Sequence, residues 1–307
     1  MPDRVYIQNI RTNTYRHIEV RPIAGALGAE IRGVDLTKPV PDDVFKEIRA
    51  AFLENLVAFI MEQDLTPRHQ CDFARRFGPL TKHPFLKTMD EYPEVLLLKR
   101  EKDQDEQVIG RRWHSDSSFE AKPPLGSCLY SVDVPPYGGD TLFCNLYLAY
   151  DLLSPGMRRL AESLVVIHSA ATYAMGKAGG AGLTVLKDKA AAEGTRERAH
   201  PLVRIHPETG KKVLWITGLD YSKRFQDMTH EESLPLMKYF QDLASQELLS
   251  CRFHWSRGTL ALWDNRCVQH LALDDYLGHR REMTRVEIEG DVPFGPAMPR
   301  QGATAQA

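Results

Sequence analysis

Beyond Gly78 the sequence consists mostly of short apolar segments separated by turns, and this pattern constrains the fold more than any other feature. The segments 93–98, 123–134 and 141–144 are rich in Leu, Val and aromatic residues, and the turn Pro-Pro-Tyr-Gly-Gly-Asp at 135–140 separates the last two. Short apolar runs bounded by proline and glycine are typical of β-strands. The pattern therefore predicts a mainly β protein, a sandwich or jelly roll, with flanking helices.

A few segments carry helical signals instead. Residues 41–54 and 66–77 place apolar side chains at helical spacing, the first behind two acidic residues and the second behind Thr-Pro. A third helix is predicted over 149–164, with a Pro-Gly interruption, and a fourth over 229–249, which opens with a Thr-x-x-Glu capping box. The residues at 18–31 alternate and contain a glycine turn, so we expect short strands ahead of the first helix.

The composition argues against several functional classes. The chain has 307 residues and a formal net charge of −2, which provides neither a basic surface for nucleic acid nor a polybasic arm for membranes. Its five cysteines are scattered and never form a Cys-x-x-Cys pair, so neither a disulfide framework nor a zinc knuckle is expected. No signal-like apolar run or membrane-length segment stands out, so we expect a soluble, cytoplasmic protein.

We expect one domain over residues 1–298, followed by a disordered tail at 299–307. Within the domain, residues 169–200 are rich in Gly and Ala and show little periodicity. Long loops inside compact domains are more often lids than filler, so we expect a lid loop here. A disordered surface insertion is an equal alternative from composition alone.

The tetrapeptide Trp113-His114-Ser115-Asp116 is the first candidate for a functional site. In an extended segment, residues two apart point to the same side, so His114 and Asp116 can present a nitrogen and an oxygen to one point. Iron(II) in non-haem oxygenases is held by two histidines and one carboxylate, with the opposite face open. With 11 His and 41 acidic residues a chance His-x-Asp is expected, so the interpretation depends on a third ligand.

His270 is the candidate third ligand. It follows a predicted strand that ends in the polar bend Asp264-Asn265-Arg266, and it lies far from Asp116 in sequence. Ligands on different strands of a closed barrel would show such a separation. A structural histidine bonded to a neighbouring carbonyl is the alternative for His270 alone.

Arg281 and Arg285 belong to the next predicted strand, 281–288, and would share one of its faces. Two guanidiniums that face the same way repel each other unless an anion lies between them. Inward-facing arginines therefore suggest recognition of a carboxylate, sulfonate or phosphate. The neighbouring acids Glu282 and Glu287 also fit the alternative of a solvated strand face.

Taken together, these motifs resemble the taurine dioxygenase/TfdA family of Fe(II)- and 2-oxoglutarate-dependent dioxygenases. The resemblance covers nearly the whole chain and depends on the order and spacing of motifs, which are Gly33-Val34-Asp35-Leu36, Phe77-Gly78-Pro79-Leu80, Trp113-His114-Ser115-Asp116 with Phe119, Gly138-Gly139-Asp140-Thr141, Trp263-Asp264-Asn265-Arg266, Gln269-His270, and Arg281 with Arg285. It implies a double-stranded β-helix, a jelly roll of cupin-like type with flanking helices. It also implies an oxidoreductase that uses Fe(II), 2-oxoglutarate and O₂.

The resemblance assigns roles to individual residues. His114, Asp116 and His270 would be the iron ligands, and Arg281 would pair with the distal carboxylate of 2-oxoglutarate, assisted by the Thr141 hydroxyl. The implied reaction couples oxidative decarboxylation of 2-oxoglutarate, to succinate and carbon dioxide, with hydroxylation of a second substrate. A carboxylate at position 116 also argues against the related halogenases, which have a small residue there.

The resemblance implies a small anionic organic substrate. Arg285 matches the sulfonate-binding arginine of the taurine enzyme, and His83 matches its substrate-binding histidine. Gly110 stands where that enzyme has a polar amide, which argues against taurine itself, and parts of the metal motif look more like the aryloxyacetate-degrading branch. A sulfonate, a sulfate ester or an aryloxyalkanoate is therefore expected.

Two other functional classes remain open at this point. A cupin-like isomerase or hydrolase with another metal would keep the three ligands without needing Arg281 and Thr141. A non-catalytic barrel would act as a binding module only. In either case no nucleic acid or membrane partner is expected, and by resemblance to relatives we expect a homo-oligomer, a dimer or tetramer.

Overall fold

The computed structural model of the protein describes residues 8–104, 110–171 and 196–300. Short β-strands dominate, as the turn-bounded apolar segments predict. In chain order the strands are β1 (Glu19–Pro22), β2 (Ala29–Arg32), β3 (Val57–Ile60), β4 (Leu80–Thr81), β5 (Leu96–Arg100), β6 (Gly126–Asp133), β7 (Thr141–Asn145), β8 (Val165–Ser169), β9 (Glu197–Pro201), β10 (Val203–Ile205), β11 (Lys212–Leu214), β12 (Ser222–Phe225), β13 (Ser250–Phe253), β14 (Leu260–Asp264), β15 (Val268–Ala272) and β16 (Arg281–Ile288).

The strands form one large sheet and three small ones. The large sheet has the order β1-β2-β3-β14-β6-β16-β4, with β5 paired to β16, and only the β2–β3 pair in it is parallel. A second sheet has the order β13-β7-β15, a third has the order β12-β8-β9, and β10 pairs with β11. Strands from the two ends of the chain are thus neighbours, which is how distant motifs meet.

Aromatic side chains pack the β13-β7-β15 sheet against the large sheet. The Phe59 ring on β3 stacks on Phe253 of β13 with centroids 3.6 Å apart, and it meets Phe143 of β7 edge-on at 5.7 Å. Trp263 of β14 lies 5.8 Å from the same Phe143 ring. The predicted double-stranded β-helix architecture is confirmed.

The first two of the five helices among the described residues cover the opposite face of the large sheet, and the other three pack on the core that lies between the sheets. The five are α1 (Asp42–Asn55), α2 (Pro67–Ala74), α3 (Leu146–Asp151), α4 (Pro155–Ser163) and α5 (His230–Ala244). Along β3, Val57 and Phe59 belong to the core between the sheets, whereas Ala58 and Ile60 belong to the core beneath α1 and α2. A strand buried on both faces has a continuous apolar run rather than an alternation, which explains the sequence at this position.

Several predicted boundaries need correction. The fourth helix ends at Ala244, and a short 3₁₀ turn over Glu247–Leu249 leads into β13. The predicted loop at 169–200 is wrong at its ends, because Ser169 closes β8 and β9 begins at Glu197. Residues 172–195, where a lid was expected, and 301–307 of the predicted tail lie outside the described residues.

Among the described residues, no helix is long and apolar enough to cross a membrane. The single domain, the cytoplasmic location and the dimer or tetramer stay predictions.

Candidate active site

The backbone brings His114 and His270 together. The two residues form an antiparallel bridge in which the His114 amide donates to the His270 carbonyl at 3.0 Å and the His270 amide donates to the His114 carbonyl at 2.8 Å. His270 lies on β15, and His114 is in an extended segment that adds to the edge of that strand. The chain turns directly afterwards, at Asp116 and Ser117.

The three predicted ligands converge. Nε2 of His114 and Nε2 of His270 are each 3.7 Å from Oδ1 of Asp116, and the two imidazole centroids are 4.1 Å apart. One ligand atom from each residue lies within 4.8 Å of the others, and all three side chains are buried. Two imidazoles and one carboxylate around a common point fit iron(II), since such a face leaves the opposite coordination positions open.

Protonation states favour metal binding. Nδ1 of His114 lies 2.8 Å from the Arg112 carbonyl, so Nδ1 is the protonated nitrogen and Nε2 presents a lone pair to the ligand cluster. Burial, with His114 nearby, lowers the pKa of His270 to about 3. His270 is therefore neutral at physiological pH, which is the state that binds a metal.

Asp116 is held by several groups at once. The Ser127 hydroxyl donates to Oδ2 at 2.7 Å, the Asp116 amide donates to Oδ1 of Asn265 at 3.2 Å, and Arg285 donates to Oδ1 at 3.0 Å. Burial alone would raise the pKa of Asp116, but Arg285 and the two histidines lower it below its usual value. The carboxylate is therefore ionised and fixed in orientation, as a metal ligand requires.

Thr141 and Arg281 line the same pocket as the three candidate ligands. The indole of Trp255 donates to the Thr141 hydroxyl oxygen at 3.0 Å, which leaves the hydroxyl proton available to a ligand. Arg281 is buried, and one of its terminal nitrogens donates to the Gly139 carbonyl at 3.4 Å. Burial lowers the pKa of Arg281 from its usual value, against the opposing effects of Tyr276 and Asp140. A buried guanidinium that forms no ion pair with a carboxylate among the described residues is suited to a carboxylate ligand.

The turn before Thr141 depends on glycine. Gly139 has a φ of +68°, and a Cβ there would come within 3.2 Å of the Tyr276 ring and 3.4 Å of Nε of Arg281. Its amide donates to Oδ1 of Asp275 at 2.7 Å. The Gly-Gly-Asp-Thr motif and the segment 274–276 thus together surround the Arg281 side chain.

His83 and Arg285 border the pocket on another side. Nδ1 of His83 accepts from the amides of Phe85 and Leu86, at 3.4 and 3.1 Å, so the proton is on Nε2. Burial and Arg285 lower the pKa of His83 to about 3, which makes it a neutral donor. Arg285 forms ion pairs with Asp116 at 3.0 Å and with Glu287 at 2.9 Å.

The remaining wall of the pocket is mainly apolar. The apolar and aromatic residues that line it are Leu86, Leu96, Leu98, Phe119, Leu129, Tyr221, Trp263, Ala272 and Tyr276. Lys99 and Arg100 also reach the pocket, but Lys99 pairs with Glu101 at 2.6 Å and Arg100 with Asp274 at 2.5 Å. A pocket with an apolar body and a few fixed polar groups is typical of small-molecule sites.

Gly110 lines the pocket beside a ligand. With a φ of +87°, a Cβ there would approach Cε1 of His114 to 3.1 Å. Because Gly110 has no side chain, this side of the pocket stays open. The nearby Arg112 does not line the pocket and instead pairs with Asp220 at 2.7 Å.

Sequence reasoning missed several contributors. Ser127 and Asn265 support Asp116, and neither has a distinctive spacing, although Asn265 belongs to a recognised motif. Tyr276 is 1% exposed and lies against both Arg100 and Arg281. The solvated interpretation of Glu287 is wrong, because this side chain is buried and faces Arg285. Its position two residues after Arg285 was the available signal.

A second cluster of possible ligands, formed by His206, Asp264 and Cys267, is better explained as structural. Nδ1 of His206 accepts two backbone amides at 3.2 Å, so Nε2 carries the proton and donates to Asp264 at 3.0 Å. Asp264 also accepts two bonds from the Arg266 guanidinium, at 2.6 and 2.8 Å. Burial raises the pKa of the Cys267 thiol far above its usual value, so no thiolate is available.

Comparisons with known proteins agree with this geometry. A sequence profile described as "Taurine catabolism dioxygenase TauD, TfdA family" matches residues 19–286. The chain is 33% identical over 287 residues to an alpha-ketoglutarate-dependent sulfate ester dioxygenase of Pseudomonas putida, covering 91% of each chain. It is 30% identical to the (S)-phenoxypropionate/alpha-ketoglutarate-dioxygenase of Sphingobium herbicidovorans, covering 89% of this chain and 95% of the relative.

Among solved structures, a taurine dioxygenase from Burkholderia xenovorans superimposes with a TM-score of 0.77 at 35% identity. The match covers 92% of this chain and 94% of that one.

Proposed function

The chain belongs to the TauD/TfdA family and is an Fe(II)- and 2-oxoglutarate-dependent dioxygenase, and we propose that it hydroxylates a small organic anion with an apolar body. The candidate classes are sulfate esters, sulfonates and aryloxyalkanoates. The convergence of His114, Asp116 and His270 at one end of a mainly apolar pocket is the observation that carries this proposal.

His114, Asp116 and His270 hold the iron in this proposal. When bound, iron activates O₂ at the expense of 2-oxoglutarate, which is converted to succinate and carbon dioxide, and supplies the oxidant for hydroxylation. The protein fixes the three ligands on one face, and Ser127 and Asn265 keep Asp116 in orientation. This arrangement leaves the open coordination face directed toward the pocket.

Arg281 and Thr141 bind the distal carboxylate of 2-oxoglutarate. A guanidinium presents paired donors that match a carboxylate, and the Thr141 hydroxyl can add a third. Burial of Arg281 strengthens this interaction, because water competes little for either partner. The cosubstrate is thereby oriented with its keto acid end toward the three ligands.

His83 and Arg285 bind the head group of the prime substrate, and the apolar wall binds its body. The two residues offer hydrogen-bond donors on one side of the pocket, while Leu86, Leu96 and Phe119 line the neighbouring wall. Burial of an alkyl or aryl group against such side chains stabilises the complex by roughly 25 cal/mol per Å² of apolar surface removed from water. The ammonium group of taurine would gain nothing there, so taurine is disfavoured.

The test is a substrate panel scored by succinate release. We expect alkyl sulfate esters, alkylsulfonates or aryloxyalkanoates to stimulate 2-oxoglutarate turnover far more than taurine does. Arg285→Ala should weaken binding of the stimulating compound while slow, uncoupled decarboxylation remains. A panel in which no apolar anion exceeds the substrate-free rate, or in which taurine is preferred, would contradict the proposal.

A further inference from the structure

A buried acid lies next to the proposed anion-binding arginine. Glu287 follows Arg285 by two positions on β16, so both side chains project from the same face of the strand. Glu287 is 6% exposed, and its Oε1 is 2.9 Å from one terminal nitrogen of Arg285. The other terminal nitrogen of the same guanidinium is 3.0 Å from Oδ1 of Asp116.

The charges at this end of the pocket nearly cancel. Arg285 contributes one positive charge and faces the carboxylates of Asp116 and Glu287. Asp116 would be a ligand of the metal, so Glu287 is the second acid beside Arg285. Burial raises the pKa of Glu287 to about 7, against the opposing effect of Arg285, so the Arg285–Glu287 pair carries no net charge at pH 8. His83 is uncharged. The head-group end of the pocket therefore offers donors without a net positive charge.

Glu287 is also close to the space where a head group would bind. A small cavity beside the main pocket is lined by Glu287, Thr81 and Glu94, and it shares His83, Leu96 and Arg285 with the main pocket. A head group bound by Arg285 thus shares a guanidinium with the Glu287 carboxylate, which is 2.9 Å from one of its terminal nitrogens. In a partly buried site, charges so close repel each other strongly when they have the same sign.

We propose that Glu287 sets the charge selectivity of the prime-substrate pocket, so that singly charged head groups bind and doubly charged ones are excluded. The inference rests on the proposed function, in which Arg285 and His83 receive the head group. A monoanion such as a sulfate ester can share Arg285 with Glu287. A dianion of the same shape, such as a phosphate monoester, adds a second negative charge that the Glu287 carboxylate repels.

The alternative is that Glu287 only holds Arg285 in place. In that case removal of its charge would disturb the binding of monoanions and dianions alike. Selectivity between the two charge states would then be unchanged, which gives the proposal a discriminating measurement.

The experiment compares an alkyl sulfate with the alkyl phosphate of the same chain length at pH 8, where the phosphate is doubly charged. KM for the sulfate is taken from succinate release, and Ki for the phosphate from competition with the sulfate. In the wild type we expect Ki to exceed this KM by on the order of ten- to a hundred-fold. In Glu287→Gln, which keeps the size and an oxygen acceptor, we expect the ratio to fall at least about ten-fold.

Glu282→Gln is the matched control, because Glu282 lies on the opposite face of β16 and pairs with Arg280 outside the pocket. This control should keep the wild-type ratio. An unchanged ratio in folded Glu287→Gln overturns the inference, and if that variant does not fold, equal binding of sulfate and phosphate by the wild type overturns it. Failure of the wild type to act on any monoanion of the substrate panel would instead contradict the proposed function.

Discussion

At the scale of single residues, the two arginines of the pocket differ in the charged and polar groups that surround them. Arg285 forms ion pairs with two carboxylates, whereas Arg281 donates to the Gly139 carbonyl at 3.4 Å and lies against Tyr276. The side chains share one face of β16, as the strand period predicted, but their electrostatic environments could not be predicted from that period. Glu287 is an example, because the sequence alone does not distinguish a buried acid from a solvated one.

Arg281→Ala should raise the KM for 2-oxoglutarate by on the order of ten- to a hundred-fold, because a charged hydrogen-bond pair contributes about 1.5–3 kcal/mol. The concentration of Fe(II) needed for half-maximal activity should change little. The measurement is succinate formation as a function of each component in turn. Equal increases in both requirements would contradict the cosubstrate role of Arg281.

At the scale of elements, the antiparallel pair of β8 and β9 buries two histidines. His168 of β8 and His200 of β9 have ring centroids 5.1 Å apart, and burial lowers the pKa of both, that of His200 to about 4. Neither strand was predicted, because β8 directly follows the predicted third helix and most of β9 was assigned to a loop. Its sequence, Glu-Arg-Ala-His-Pro, lacks the β-branched and aromatic residues that mark a strand, and pairing with β8 decides its conformation.

Acid should destabilise the folded protein through His200. The folded pKa of His200 lies below the unfolded value of about 6.5, so the unfolded chain binds more protons as the pH falls from about 6.5 to 4. The free energy of unfolding of the metal-free protein should therefore decrease over this range, by on the order of 1–3 kcal/mol from His200. His200→Gln should make the decrease shallower in urea unfolding at a series of pH values.

His279→Gln is the control for this measurement, because His279 is only partly buried and its ring contacts Tyr137. It should keep the wild-type pH dependence. If the free energy of unfolding decreases equally with falling pH in His200→Gln and in the wild type, the lowered pKa of His200 in the folded state is contradicted.

At the scale of the whole molecule, the sequence predicts the fold class because its apolar runs and turns match strands buried between two layers. The strand order could not be predicted from those runs, since β3, β6, β14 and β16 meet across more than two hundred residues of chain. The convergence of His114, Asp116 and His270 could be predicted because the motifs that contain them occur in a known order. The support for Asp116 from Ser127 could not, because a lone serine in a strand has no distinguishing pattern.

The most direct test of the central claim is anaerobic Fe(II) binding by equilibrium dialysis with metal analysis, on folded protein checked by circular dichroism. We predict one Fe(II) per chain for the wild type and for Cys267→Ser, which alters the structural His206–Asp264–Cys267 cluster, and loss of binding with loss of succinate formation for Asp116→Ala. Retention of one Fe(II) by Asp116→Ala, or its loss in Cys267→Ser, would contradict the assignment of His114, Asp116 and His270 as the metal site.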